Sequence, residues 1–421
     1  MTPVTRGRAV YGLTVLSFIN LLNYLDRYIL AGVMKKVQDE FHLSDARGGL
    51  LATTFMVVYL CASPVGGYLG DRLPRRWLIG AAVMIWSLAT VASGLASSFA
   101  LLVLARACTG VGEAGYGTIA PPFISDLFKK SERGRMLAFF YATMPIGAAL
   151  GFVIGGAVGD AFGWHHAFFV GGAPGILLAL MAFALPNPRR GAMDVEEHAP
   201  APPKVPFVAG LRSLVTNAQF WIATAGLTLM TFSIGGLSNW MPKYLEAERG
   251  FTGTEAGVFL GATTVIGGFL GTIVGGIAGD RLDQRMPGGG VALAGVGLIT
   301  AAPFMITAVL TQNRALLFAS LLAAQFFVFL NNGPLNAAVV NSVTPGFRTF
   351  AYGINTMLLH LLGDAASPTV IGFISDQKAL GFAIILNAAP VVLAGVVLLL
   401  GLRAFRRPGA AAGVPTAPPS P

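Results

Sequence analysis

Gly66-Gly67-Tyr68-Leu69-Gly70-Asp71-Arg72-Leu73 and Gly275-Gly276-Ile277-Ala278-Gly279-Asp280-Arg281-Leu282 agree at six of eight positions. Each closes an apolar run long enough to cross a bilayer as a helix, which needs about 20 residues. Shorter echoes close two further runs, at Gly156 to Asp160 and at Gly372 to Asp376. All four have the form Gly-x-x-x-Asp. They fall at the end of the second helix in each consecutive group of three. A three-helix unit repeated four times, inverted within each half, is the pattern of a rocking transporter with its site at the midplane between halves.

Working outward, twelve candidate spans lie near 9–34, 45–70, 76–97, 99–125, 135–160, 165–186, 217–245, 253–279, 290–311, 314–342, 347–375 and 380–402. The expected organisation is a six-helix bundle over 1–187, a Pro-rich and charged cytoplasmic linker over 188–216, a second bundle over 217–407 and a disordered tail over 408–421. Only 11% of the 421 residues are charged and 54% are hydrophobic. A soluble domain carries roughly 25% charged residues. This composition reads as an all-α membrane protein.

The net charge of +9 does not indicate nucleic acid, because the basic residues sit in short loops. Nineteen Lys and Arg fall on one side of the spans, seven on the other, and Arg27 and Arg106 within them. By the positive-inside rule both termini are expected in the cytoplasm. Cys61 and Cys108 lie in apolar runs and read as small packing residues. No cleavable leader pattern is present: the first run is too long and contains Asp26-Arg27.

That first run carries its charges past the midpoint. A charge at the bilayer centre costs roughly 2.5–3.5 kcal/mol on insertion scales, so such residues usually face a bundle interior or a watery cavity. Asn20, Asn23 and Arg27 share one helical face with Asp26 on its flank. The fourth span holds Arg106 and Glu113 two turns apart. Arg106 falls nearer its outer half and Glu113 near its centre, within reach of Arg27. The eleventh span spaces Thr356, His360 and Asp364 by four, ahead of Ser367 and the helix-bending Pro368. A structural ion pair is the competing reading of the Asp26, Arg27 and Glu113 cluster. For His360 it is a bond to Asp364 that holds a gating helix.

The loop Gly67-Tyr-Leu-Gly-Asp-Arg-Leu-Pro-Arg-Arg76 resembles the signature loop of the major facilitator superfamily. Asn23-Tyr-Leu-Asp-Arg27, Gly110-Val-Gly-Glu-Ala-Gly-Tyr-Gly-Thr-Ile-Ala-Pro121 and His360-Leu-Leu-Gly-Asp-Ala-Ala-Ser-Pro368 narrow the resemblance to the Spinster family of lipid transporters. The resemblance implies export of lysophospholipids or sphingosine phosphate, with proton linkage in bacterial members. Short termini and high Ala and Gly content point to a bacterial inner-membrane protein.

The expected roles follow. Asp26 and Glu113 couple protons. Arg27, Glu113, Asn23, His360, Asn332 and Asn336 meet substrate, with Thr228 and Thr231 as further polar candidates. Competition between Asp26 and an anionic head for Arg27 is read as the antiport device. Asp71, Arg72, Arg75, Arg76, Asp280, Arg281, Asp364 and Arg106 gate, Asp71 and Asp280 by bonding the ends of neighbouring helices. Arg133 and Arg135 serve the same latch or only set topology. The 29 Phe and 13 Met suit a greasy path, and Met accepts varied partners.

Expected partners are an amphiphilic small molecule, protons and membrane lipids, with no nucleic acid, no cofactor and no metal, and each unit works as a monomer. A multidrug antiporter of the same fold and an uncoupled facilitator remain alternatives. The sequence holds no His-Glu-x-x-His run, no Gly-x-Ser-x-Gly elbow and no Gly-x-x-x-x-Gly-Lys-Ser/Thr loop, which argues against an enzyme or an ATP-driven pump.

Overall fold

The structure, a computed structural model, describes residues 4–128, 130–188, 212, 214–343 and 348–405. The linker segment 189–211 and the tail from 406 lie outside the described residues. The first half consists of α1 (Arg6–Phe41), α2 (Asp45–Arg72), α3 (Arg75–Gly94), α4 (Phe99–Leu127), α5 (Lys130–Phe162) and α6 (Trp164–Phe183). The second half begins with α7 (Ala218–Arg249), α8 (Gly253–Arg285) and α9 (Gly289–Leu310). Its last three crossings are broken: α10 (Arg314–Phe329) with α11 (Asn332–Asn341), α12 (Arg348–Leu359) with a π turn (His360–Asp364) and α13 (Ser367–Gln377), and α14 (Leu380–Leu386) with α15 (Ala388–Leu400). A short α16 (Leu402–Phe405) ends the described chain.

Among the described residues these make twelve membrane-length segments, and ten are apolar enough throughout to cross by composition alone. The two that are not, α1 and α4, carry Asp26, Arg27, Arg106 and Glu113. Local chemistry marks the ends. Ser44 and Ser98 accept backbone N–H bonds at the starts of α2 and α4, and Thr252 and Glu255 form a reciprocal capping box on α8. α1 and α7, first helices of their halves, both stop at a left-handed residue, His42 (φ 50°) and Gly250 (φ 65°).

The two halves repeat one packing scheme. In the first, α1 packs on α5, α2 on α4 and α3 on α6. In the second, α7 packs on the α12–α13 crossing, α8 on α10 and α9 on α15. The halves meet through α5 with α8, α2 with α13 and α1 with α7. An even number of crossings places both ends of the described chain on one face, called here the terminus side. The opposite face is the far side.

Candidate transport site

The polar centre lies where α1 faces α4. Arg27 Nε donates to Glu113 Oε2 at 2.6 Å. Arg106 Nη1 stands 3.7 Å from Asp26 Oδ2, and Thr90 Oγ1 donates to that same oxygen at 2.8 Å. Adjacent residues on α1 are thus matched with residues two turns apart on α4. Asp26 and Arg27 do not pair with each other, which corrects the expected Asp26–Arg27 competition: the carboxylate on Arg27 is that of Glu113. Arg106 is corrected as well. It sits in the centre as the partner of Asp26 and not in the outer half of the span.

Burial sorts the four. The Asp26, Arg106 and Glu113 side chains are enclosed, whereas Arg27 is 17% exposed and reaches the cavity. Asp26 Oδ1 and Glu113 Oε1 have no hydrogen-bond partner among the described residues. Such open lone pairs are unfavourable for a buried carboxylate and are where a proton can add. The Arg27 guanidinium also lies against the rings of Tyr24 and Tyr59, 5.1 and 4.9 Å from their centroids.

A cavity of about 190 Å³ between the halves is lined by Tyr24, Arg27, Arg106, Thr231, His360 and Asp364, among others. His360 and Asp364 enter from the second half on the π turn, whose Ala365 N–H reaches the His360 carbonyl at 2.9 Å. His360 Nδ1 lies 3.0 Å from Asp364 Oδ2. A second space of about 60 Å³ is apolar, lined by Phe152, Leu237, Met241, Leu260, Met305 and Val328. Tyr28, Ile234 and Ser238 border both. A charged chamber therefore adjoins a greasy one.

Other expected residues lie elsewhere. Asn20 bonds Thr143 and the Phe140 carbonyl of α5, and Asn23 is buried with its Nδ2 unpartnered among the described residues. Asn332 and Asn336 do not border the central cavity: Asn332 contacts Thr272, and Asn336 accepts from Tyr352 on the terminus side. Both lie on α11, which restarts the tenth crossing after the break at Leu330 and Asn331. Arg75 holds Asp126 within the first half at 2.5 Å, Arg72 packs on the Tyr68 ring, and Arg76 lies over Trp77. Asp280 and Arg281 are exposed. The side chains of Asp71, Arg133 and Arg135 lie outside the described residues.

The bonds between halves are on the far side. Asp376, ending α13, accepts from the Asp45 and Ala46 N–H groups that begin α2, at 2.6 and 3.0 Å. Asp160, near the end of α5, accepts from the Gly253 and Thr254 N–H groups that begin α8, at 3.2 and 2.6 Å. The glycine four residues earlier permits each contact. A Cβ on Gly372 would strike the Asp45 carbonyl, and one on Gly156 the Gly253 carbonyl. Each of these two Gly-x-x-x-Asp copies is thus a socket and cap for the first turn of a helix from the other half.

Side-chain ion pairs surround both. Lys36 bridges Asp160 and Glu246 at 2.9 and 3.3 Å, and Lys243 and Ser375 both reach the Asp45 carboxylate. Midway in, Thr53 donates to the Ala365 carbonyl at 2.6 Å. Gly67 and Gly276, the terminus-side counterparts, face open space. Among the described residues no hydrogen bond joins the halves on that side. Sequence reasoning assigned no role to Asp160, Asp376, Asp45, Lys36 or Thr90. The fourfold motif was the signal for the first two.

Two bundles that meet over buried ion pairs, and that among the described residues are bonded to each other on the far side and not on the terminus side, have the architecture of a secondary transporter. The Major Facilitator Superfamily model matches residues 16–368, and the chain belongs to that superfamily and, within it, to the Spinster family. Protein spinster homolog 3 of Danio rerio is 35% identical over 89% of this chain and 78% of its own length. Protein spinster homolog 1 of Homo sapiens is 35% identical over 95% of this chain and 81% of its own. A crystal structure of a bacterial homologue of the human lysosomal transporter Spinster, inward-facing and unoccupied, superposes with a TM-score of 0.88 at 24% identity, covering 97% of this chain and all of that one. The chain is an integral membrane transporter for a small molecule, and not an enzyme.

Proposed function

We propose that the chain exports a single-tailed amphiphile with a phosphate-bearing head, a lysophospholipid or sphingosine-phosphate-like lipid, by proton antiport. The observation that carries this reading is the pair at the mouth of the cavity: a partly exposed Arg27 bonded to a fully buried Glu113, beside an apolar chamber. Arg is permanently charged and suits phosphate. The tail takes the apolar chamber, where each buried CH2 contributes about 0.8 kcal/mol.

The coupling sign follows from the pairing. A purely anionic head that takes Arg27 strips Glu113 of its counter-charge, and the carboxylate then gains a proton, so anion and proton travel together. Antiport requires a head that also excludes the proton. An ammonium group does this by pairing with Glu113 while the phosphate pairs with Arg27. Sphingosine phosphate and the amine-bearing lysophospholipids carry both groups. Asp26, held loosely by Arg106, is the second proton site.

Alternation uses the four Gly-x-x-x-Asp copies. Asp160 and Asp376 hold the far side shut in the present state. Asp71 and Asp280 cap the starts of α12 and α5 when the terminus side closes. The bundles 1–187 and 217–407 are the moving bodies, joined by the linker 188–216. One chain holds a whole site, so the monomer is the working unit, placed in a bacterial inner membrane with both termini cytoplasmic.

The test is uptake of sphingosine phosphate, lysophosphatidylethanolamine and lysophosphatidate into proteoliposomes, with and without an imposed pH gradient. The first two are expected to move against protons, and Asp26→Asn and Glu113→Gln to abolish the response to the gradient. Lysophosphatidate, lacking an amine, is expected to move with protons or not at all. Gradient-dependent uptake unchanged in both variants refutes the coupling assignment. Absence of uptake for all three lipids refutes the substrate class.

A further inference from the structure

One aromatic ring serves both ion pairs. Phe55, on α2, is 4% exposed, and its centroid lies 5.2 Å from the Arg27 guanidinium carbon and 5.0 Å from that of Arg106. The two arginines differ in what else holds them. Arg27 has its short bond to Glu113 and two tyrosine rings. Arg106 is buried with Nε and Nη1 unpartnered among the described residues, and its approach to Asp26, at 3.7 Å, is longer than a hydrogen bond. Open donors on a buried guanidinium are unfavourable. Besides the loose ion pair to Asp26, the face of a ring attracts it, and such contacts are strongest when desolvated.

The ring cannot easily be elsewhere. A Cβ on Gly110 of α4 would fall 2.6 Å from the Phe55 carbonyl, so the two helices touch backbone to backbone at this level. Around Asp26 the charged and titratable neighbours among the described residues are Arg27 on its own helix and Arg106 and Glu113 on α4. α3 brings the neutral donor Thr90, and α6 presents Gly171.

We propose that Phe55 is a positioning residue: its ring holds Arg106 back from Asp26, keeping a loose pair whose Oδ1 stays open for a proton. The inference rests on the reading that Asp26 carries a proton. Without the ring, Arg106 closes on Asp26 as Arg27 has closed on Glu113, and the tight pair retains the charged carboxylate over a wider pH range.

The measurement is an infrared pH titration of protonated carboxyl bands on the full-length protein in lipid nanodiscs, which needs no transported ligand. Asp26→Asn identifies the Asp26 band by its loss. Phe55→Leu is expected to move the midpoint of that band toward acid by about one pH unit, on the scale where one unit corresponds to a contact of cation–π strength. Phe55→Trp keeps an aromatic face and is expected to restore the wild-type midpoint. Phe55→Met, unbranched and close in volume, replaces the Leu variant if that fails to fold. An Asp26 band that titrates but stays in place without the ring overturns the role of Phe55 alone. A wild-type spectrum with no titrating band sensitive to Asp26→Asn overturns the proton reading, and the inference with it.

Discussion

The same motif stands in opposite conditions at the two ends of the molecule. On the far side, Gly156 and Gly372 press against the carbonyls that begin α8 and α2, and Asp160 and Asp376 cap the N–H groups there. On the terminus side, a Cβ on Gly67 or Gly276 would meet nothing within 4 Å among the described residues. The difference teaches what the motif is for. A glycine within a membrane helix is a poor choice unless another backbone must come close. Here it is in use on the far side, and the proposed cycle gives the terminus-side copies the same use.

The comparison breaks most visibly if the far sockets are filled. Gly156→Leu and Gly372→Leu together force the far side apart, because overpacking costs about 1–3 kcal/mol per site. Spin labels at the exposed positions Asp39 and Ala247 should then report a population at longer distance, with transport down by tenfold or more, about 1.4 kcal/mol per factor of ten. Unchanged distances would mean that the sockets do not set the closure. Next in size are Gly67→Leu and Gly276→Leu. They meet open space here, so the melting temperature should stay within about 2 °C, as for neutral surface changes. Transport should nevertheless fail, because the terminus side can no longer shut. Normal transport would remove these copies from the gating cycle.

Smaller effects sharpen the picture. Asp376→Asn keeps the shape and loses the charge, so it should weaken one cap by about 1 kcal/mol and raise the far-open population roughly fivefold. The same distance measurement checks this, and a fall in that population would contradict it. Lys36→Ala is expected to be the mildest. Its bridge is part-exposed, and such pairs contribute about 0–1 kcal/mol. Its effect on the far-open population should fade as salt approaches about 1 M, where the screening length is near 3 Å; a salt-independent effect would argue for a buried role.

The large plan was legible before any coordinates. The repeat at Asp71 and Asp280 led to six helices plus six, and the intramembrane charges led to Asp26, Arg27, Arg106 and Glu113. The pairing within that group was only half legible. Sequence periodicity places residues on a face of one helix but says nothing of the height at which a second helix crosses it. The height decides that Asp26 meets Arg106 and Thr90, leaving Arg27 to Glu113. The far latch escaped for another reason: its donors are the backbone N–H groups of Asp45, Ala46, Gly253 and Thr254. Main-chain groups carry no mark in the sequence, so only the acidic half of each contact is spelled out. The break before α11, the helix that carries Asn332 and Asn336, left no clear helix-stop signal beyond Asn331-Asn332-Gly333.

The Asp376 cap spans 331 residues of chain to reach Asp45. Chains emerge from the ribosome N-terminus first, and their parts begin to fold in that order. The opening amides of α2 therefore wait through nearly the whole of synthesis for their partner. Until the eleventh crossing arrives, the first half has an unfinished edge on its far side, and a prematurely terminated product would carry that edge permanently.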